Sequence, residues 1–235
     1  MARVLTRSAA VAGLAALSLC IPASVTATAA DLSPLASPRL QARFSPDPGQ
    51  QNYLLSVQTL TARDAWAVGS YCKAHCETTV TQHTLVLHWN GIRWTHVPSP
   101  SPGFDDTLTS VSGSSPADVW AVGQYLLKRG NPGPLVLRWN GRRWVRRRFR
   151  VFGTGKDVDL LAVSVRSFRD AWIVGFTSDP FTNVTKAVAA RWNGSAWRAV
   201  PVPQLGNPSI LTDVSVVSAK NAWAVGTYCA TGCRG

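Results

Sequence analysis

Apolar residues in this chain come in short bursts separated by polar turns, and the bursts repeat. Four stretches open with Leu-x-x-Val, cross a polar turn, and end in Asp or Asn followed by an apolar-Trp-apolar-Val-Gly run. The marking residues are Leu54, Val57, Asp64, Trp66 and Gly69; Leu108, Val111, Asp118, Trp120 and Gly123; Leu160, Val163, Asp170, Trp172 and Gly175; and Leu211, Val214, Asn221, Trp223 and Gly226. The tryptophans stand 54, 52 and 51 residues apart, a period that belongs to stacked structural units. A second phrase, Trp-Asn-Gly-x-x-Trp, follows three of the four copies, at Trp89–Trp94, Trp139–Trp144 and Trp192–Trp197. All ten tryptophans are therefore repeat positions.

Each unit predicts four short strands. The run Ala65–Val68 is apolar on both faces, as a central covered strand is, whereas Arg93–Val97 alternates like a half-exposed one. Asn90-Gly91 between Leu87 and Trp94 predicts a two-residue type I′ hairpin, which would set Leu87 opposite Trp94 with Trp89 on the same face. Four strands at a period near 50, without helical periodicity, predict an all-β chain: a β-propeller of four-stranded antiparallel blades, about three and a half of them present. The expected boundaries are blade 1 at 53–104, blade 2 at 105–157, blade 3 at 158–207 and a partial blade 4 at 208–235, with the Pro-rich stretch 98–103 as a passage between blades. Residues 30–52 read as a linker with a closing strand at Leu40–Phe44, because Ser45-Pro46-Asp47-Pro48-Gly49 lies 54 residues before Ser99-Pro100-Ser101-Pro102-Gly103.

The phrases Asp64–Gly69 and Leu87–Trp94 resemble the tandem repeats of secreted bacterial β-propeller repeat proteins, loosely grouped with kelch and BNR-like propellers. The resemblance runs from about Phe44 onward. It implies the fold and specifies no activity. The chain departs from the BNR Asp-box Ser-x-Asp-x-Gly-x-x-Trp, so sialidase activity is not implied, and it lacks the paired glycines of kelch strands.

Residues 1–29 read as a secretory signal peptide: Arg3 and Arg7, an uncharged apolar run from Ala9 to Ile21, and small residues ending in Ala27-Thr28-Ala29-Ala30. A lipoprotein reading would use Cys20, but Leu19 before it is not small. No later stretch is long and apolar enough for a membrane-spanning helix, so the expected location is secreted, in an oxidising compartment. There Cys72, Cys76, Cys229 and Cys233 are expected as two local disulfides, Cys72–Cys76 and Cys229–Cys233. A metal clip through His75 is the rival, and the fourth unit argues against it with Gly232 at the matching place.

Charge adds one local feature. Without the leader's two arginines, 22 basic residues face 12 acids, and ten of the 22 fall between Asp118 and Asp157, where no acid occurs. Arg142, Arg143, Arg146, Arg147, Arg148 and Arg150, with Arg138, are expected on the third and fourth strands of blade 2. Alternate arginines there would form a ridge for an anionic polymer or acidic carbohydrate, or else protect a sheet edge from pairing; both readings stay open. Nucleic acid is not favoured, since no stacking aromatics are interleaved in its pattern.

The remaining candidates have structural readings. The tryptophans could stack on sugars, but fixed places inside strands assign them to core and hairpin packing. Asp64, Asp118 and Asp170 could form a carboxylate ring, yet Asn221 replaces them in the fourth copy, which favours a local turn bond to backbone. His83, His88 and His96 belong to no nucleophile or paired-histidine motif, and Asn183 and Asn193 in glycosylation patterns are assigned no glycan. No catalytic residue, metal or cofactor is expected. The function read from the sequence is a non-enzymatic binding or scaffold module with an unidentified ligand, the alternative being a propeller glycosidase or lyase. The incomplete last unit predicts either a piece of a longer propeller, the favoured reading, or self-association through the open blade edge.

Overall fold

A computed structural model describes residues 43–74, 76, 81–127, 132–153 and 156–230. Within them each predicted unit forms an antiparallel sheet whose strands neighbour one another in chain order. Blade 1 contains β1 (Gln51–Thr61), β2 (Asp64–Cys72), β3 (His83–Trp89) and β4 (Trp94–His96). Blade 2 contains β5 (Asp105–Ser115), β6 (Asp118–Leu126), β7 (Gly133–Trp139) and β8 (Trp144–Arg146). Blade 3 contains β9 (Asp157–Ser167), β10 (Asp170–Asp179), β11 (Val184–Trp192) and β12 (Trp197–Val200). A two-stranded sheet of β13 (Ser209–Ser218) and β14 (Asn221–Tyr228) follows. The described residues contain no helix, and the sheets are successive propeller blades whose ring they do not close.

The phrase that ends each second strand in Val-Gly has a steric cause. The first strand carries a bulge one residue past its leucine, at Leu55, Thr109, Leu161 and Thr212, where the register slips by one. The bulge presses a carbonyl into the second strand, so a Cβ at Gly69 would lie 1.8 Å from the Tyr53 oxygen and one at Gly175 would lie 1.9 Å from the Asp159 oxygen. Only a residue without a side chain fits there.

Blades pack face to face, and the core lies between them. Trp66, Val68 and Val86 of blade 1 meet Leu108, Val119, Leu135, Leu137 and Trp144 of blade 2, while Trp120, Val122 and Val136 meet Leu160, Ile173 and Ala190 of blade 3. Trp66 sits 4.9 Å from Trp139 and 5.3 Å from Trp144; Trp120 sits 5.2 Å from both Trp192 and Trp197. The second-strand tryptophan of one blade thus enters a clasp made by the two hairpin tryptophans of the next. Hydrogen bonds stitch the innermost strands across the same boundaries. Val111 N donates to Ser56 Oγ at 3.1 Å, Val163 N to Ser110 Oγ at 3.2 Å, Val165 N to Ser112 Oγ at 3.0 Å and Val216 N to Ser164 Oγ at 3.2 Å. They satisfy backbone donors on the strand edge that no sheet partner covers.

One expectation needs correction. The Trp-Asn-Gly-x-x-Trp hairpin closes two residues away from the predicted register: Trp89 pairs with Trp94 and Leu87 with His96 rather than with Trp94. The loop has four residues because Asn90 Oδ1 accepts hydrogen bonds from the backbone N–H of Ile92 and Arg93, 3.0 Å each, capping the turn from its first position. Asn140 and Asn193 do the same, and only the glycine, at φ 93°, 87° and 98° in the three copies, takes the left-handed conformation. Of the expected closing strand, Leu40 to Ala42 lie outside the described residues.

Candidate functional site

The aspartates that open the second strands are taken up by structure, through a partner different from the one expected. Asp64, Asp118 and Asp170 bond to a basic side chain on the third strand of their own blade rather than to local backbone. His88 Nε2 lies 3.0 Å from Asp64; Arg138 gives Nε and Nη2 to Asp118 at 3.0 and 2.7 Å; Arg191 Nε reaches Asp170 at 2.8 Å, and Arg166 adds a bond at 2.7 Å. The reason is register. Trp66 pairs with His88, Trp120 with Arg138 and Trp172 with Arg191, so aspartate, ring and cation share one face. The same side chains stack on those rings, the Arg138 guanidinium 4.7 Å from Trp120 and the His88 ring 4.3 Å from Trp66. Burial pushes the Asp170 carboxyl upward, but the bonds and charges of Arg191 and Arg166 outweigh it and hold the group below the ordinary aspartate range.

Cys72 and Cys76 form the expected local disulfide, with Cα atoms 5.8 Å apart. Cys229 is buried and disulfide-bonded, while Cys233 and His75 lie outside the described residues. Among the described residues no group of three or more His, Cys, Asp or Glu side chains is arranged to hold a metal ion. His83 joins a grouping that the sequence did not suggest. Ser101 Oγ donates to the buried Asp106 carboxylate at 2.5 Å and lies 3.5 Å from His83 Nδ1, and Gly103 N donates to the same carboxylate at 2.9 Å. Burial raises the Asp106 carboxyl above the ordinary aspartate range, an effect that Ser101, Gly103, His83 and Arg146 partly offset. The serine hydrogen is committed to the carboxylate, so the group ties the connector after blade 1 to blade 2.

The arginines do not form an alternating ridge. Strand β8 is only three residues long and contains Arg146 alone. Arg142 and Arg143 sit in the hairpin turn at its start, and Arg147, Arg148 and Arg150 lie in the connector beyond its end. Arg138 is partly buried and paired with Asp118. The structure therefore divides the cluster, and the connector group gains Lys156, which the sequence reading left aside.

This connector differs from its two counterparts. From hairpin tryptophan to the next leucine the chain advances 14 residues after Trp94 and 14 after Trp197, but 16 after Trp144. In blade 1 the connector is pinned to the third strand, where Thr84 N donates to Ser101 Oγ at 3.3 Å and Thr84 Oγ1 bonds Ser99 Oγ at 2.7 Å. In blade 3 Gln204 bonds both the carbonyl and the N–H of Ala187. In blade 2 the place of Thr84 is held by Pro134, which has no N–H to give. The connector is anchored by Phe149 instead, buried 5.6 Å from Phe152 and 5.9 Å from Trp197.

Between the longer connector and the end of β6 an open cleft of about 620 Å³ results. Arg146, Arg147, Arg148, Arg150 and Lys156 line it over Tyr125, Phe149 and Phe152, and none of its described lining residues is acidic. The Arg146 guanidinium lies 4.4 Å from the Tyr125 ring, which fixes one cation at the wall. Five cations around an open, partly aromatic floor can bind an extended anion. Arginine forks suit carboxylate, sulfate and phosphate oxygens alike.

No known family model matches the chain, and no curated protein matches it. Among solved structures it is similar to YCF48 bound to D1 peptide, at 12% identity and a TM-score of 0.38, covering 74% of this chain and 62% of that one. The chain thus spans less than two thirds of that structure's length. It is also similar to a fucose lectin from Kordia zhangzhouensis in complex with methyl-fucoside, at 12% identity and a TM-score of 0.40, covering 63% of this chain and 97% of that one.

Proposed function

We propose that this chain is a secreted, non-enzymatic propeller module that binds an anionic polymer, acidic carbohydrate included, in the cleft beside blade 2. The observation that carries the reading is the placement of the cations. Protection of a sheet edge would need charge on the outer strand, but Arg147, Arg148, Arg150 and Lys156 stand past the end of β8. They cluster where the connector is two residues longer than its counterparts, so the cationic cleft is a local addition to the repeat. In the three complete blades the repeat takes up its aspartates in bonds to third-strand side chains, and Trp66 and Trp120 in packing, so this connector is the variable surface on which the reading rests.

The test is retention on immobilised heparin across a salt gradient. The triple variant Arg147→Ser/Arg148→Ser/Arg150→Ser should elute at far lower salt than the parent, and the parent's affinity should fall steeply as salt rises. The double variant Arg142→Ser/Arg143→Ser removes charge from the hairpin turn instead and should elute close to the parent. Equal losses in the two variants would mean that only net charge is sensed, and the cleft assignment would be withdrawn.

A further inference from the structure

The turns at one end of the blades carry a cationic face that the repeat does not require. Antiparallel pairing brings the turn between the first and second strands and the Trp-Asn-Gly hairpin of each blade to the same end. Ala65, the second residue of β2, pairs with Trp89, the last of β3, and Ala171 pairs with Trp192 in the same way. The two kinds of turn touch, since a Cβ at Gly91 would lie 2.8 Å from Arg63 Cγ and one at Gly194 would lie 2.8 Å from Arg169 Cγ. Arg63, Arg169 and Lys220 hold the same place in their two-residue turns, Arg93 and Arg143 hold the same place in their hairpins, and Arg142 stands beside Arg143. All of them are exposed.

No acid at this end balances them. Asp64, Asp118 and Asp170, which follow the turns directly, are taken up by His88, Arg138 and Arg191. The other acids of the described residues lie before or at the starts of β1, β5 and β9, at the end of β10, and at Asp213 within β13. The end is also level, because blade after blade presents a two-residue turn beside a four-residue hairpin loop, and the cations are spread across the blades rather than gathered in a groove. Among them two apolar side chains face solvent, Ile92 at 82% exposed and Phe168 at 52%. Neither is a repeat position. Arg142 and Ser195 stand in the place of Ile92, and Ala62, Pro116 and Ala219 in the place of Phe168. The Arg169 guanidinium lies 5.1 Å from the Phe168 ring, so charge and apolar tip stand together.

We infer that this end of the blades seats on an anionic lipid surface, with its arginines and Lys220 over the headgroups and Ile92 and Phe168 entering the boundary of the acyl layer. A soluble polyanion would use the charges but would gain nothing from two apolar tips held out in water. A level array also meets a flat surface at every cation at once, whereas one polymer strand crosses only some of them. The face lies at the start of β8 and the connector cleft lies beyond its end, so the inference does not rest on anion binding in the cleft, and either can fail alone.

Vesicle flotation tests the inference on the chain as secreted. Vesicles of equal parts phosphatidylglycerol and phosphatidylcholine should carry the chain upward at low salt, and vesicles of phosphatidylcholine alone should leave it behind. Ile92→Ser/Phe168→Ser changes no charge and touches only exposed positions, so circular dichroism should match the parent while affinity for the mixed vesicles falls on the order of tenfold. Arg142→Ser/Arg143→Ser should lower that affinity by on the order of tenfold as well. On heparin Ile92→Ser/Phe168→Ser should elute with the parent, and Arg147→Ser/Arg148→Ser/Arg150→Ser should still float with the mixed vesicles. A parent that does not float overturns the inference. Flotation that survives Ile92→Ser/Phe168→Ser overturns it too, since charge alone or the apolar run from Ala9 to Ile21 would then carry the binding. Flotation lost in the connector variant but kept in both turn variants would place the headgroups in the cleft and overturn it equally.

Discussion

Replacing Asp118 by Ala should be the most damaging of the matching changes at the three repeated aspartates. Arg138 directs two N–H groups to one Asp118 oxygen at 3.0 and 2.7 Å, and Ser114 Oγ donates to the other at 2.7 Å. The two side chains are 15% and 5% exposed, and the guanidinium is flanked by Trp120 at 4.7 Å and Trp192 at 5.8 Å. Removing the carboxylate leaves a partly buried cation without its counterion; for fully buried pairs that loss is about 3–5 kcal/mol. The ring faces and the residual exposure of Arg138 moderate the loss, so the expected value is about 3 kcal/mol, near the lower limit of that range. At Asp64 the partner is His88, whose side chain is 28% exposed and can turn its nitrogen to water, and Asp64→Ala should cost about 1 kcal/mol. Urea unfolding followed by tryptophan emission at neutral pH measures both. A second variant, Asp118→Ala/Arg138→Met, removes the stranded charge and should recover part of the loss, giving a non-additive cycle. Equal costs at Asp64 and Asp118, or a double variant that costs the sum of its parts, would refute the reasoning.

Two further outcomes follow from the same geometry. The folded chain keeps Asp170 ionised more readily than the unfolded chain does, so its stabilisation is full above the ordinary aspartate value of 3.8 and is lost as pH falls through the lower folded value. Asp170→Asn should therefore reduce stability at neutral pH and flatten the acid limb of a stability profile below about pH 4. At the hairpin of blade 2, Asn140→Ala removes the oxygen that accepts from Arg142 N and Arg143 N, and thermal unfolding should show a loss of about 1–2 kcal/mol, whereas Asn140→Asp, which keeps an acceptor, should lose far less.

Much of the fold was legible because its signals are periodic. Trp66, Trp120, Trp172 and Trp223 mark the unit, and the apolar runs around them are long enough only for strands. The hairpin register was misread because Asn-Gly carries two alternative turn chemistries. A positive φ at both residues gives a two-residue loop, while an asparagine side chain that caps two N–H groups gives a four-residue one, and the choice depends on which tryptophan pair packs better. The aspartate partners were hidden for a different reason. Asp118 and Arg138 are 20 residues apart, and only the β6–β7 register puts them on one face. Within the candidate site the arginines announced themselves by composition, but their division did not. That depends on β8 ending at Arg146 and on Phe149 turning inward, and both are tertiary choices. The two extra residues after Trp144 were countable in the sequence and were the available clue to the cleft.

The stitching of each inner strand to the next has a consequence for how such a chain can change over generations. The stitching bonds and tryptophan contacts across a blade boundary join a serine acceptor and a ring of one unit to a backbone donor and a tryptophan pair of the unit that follows, and the features recur from unit to unit. A tandem duplication or an in-frame loss of one unit therefore creates a junction whose surfaces already match, so array length can drift with little structural penalty. The connectors are released from that constraint, since their pinning is solved differently after each blade: Ser99 and Ser101, then Phe149, then Gln204. Innovation in this lineage is thus channelled into about a dozen connector residues per unit, while the strands can be copied almost verbatim.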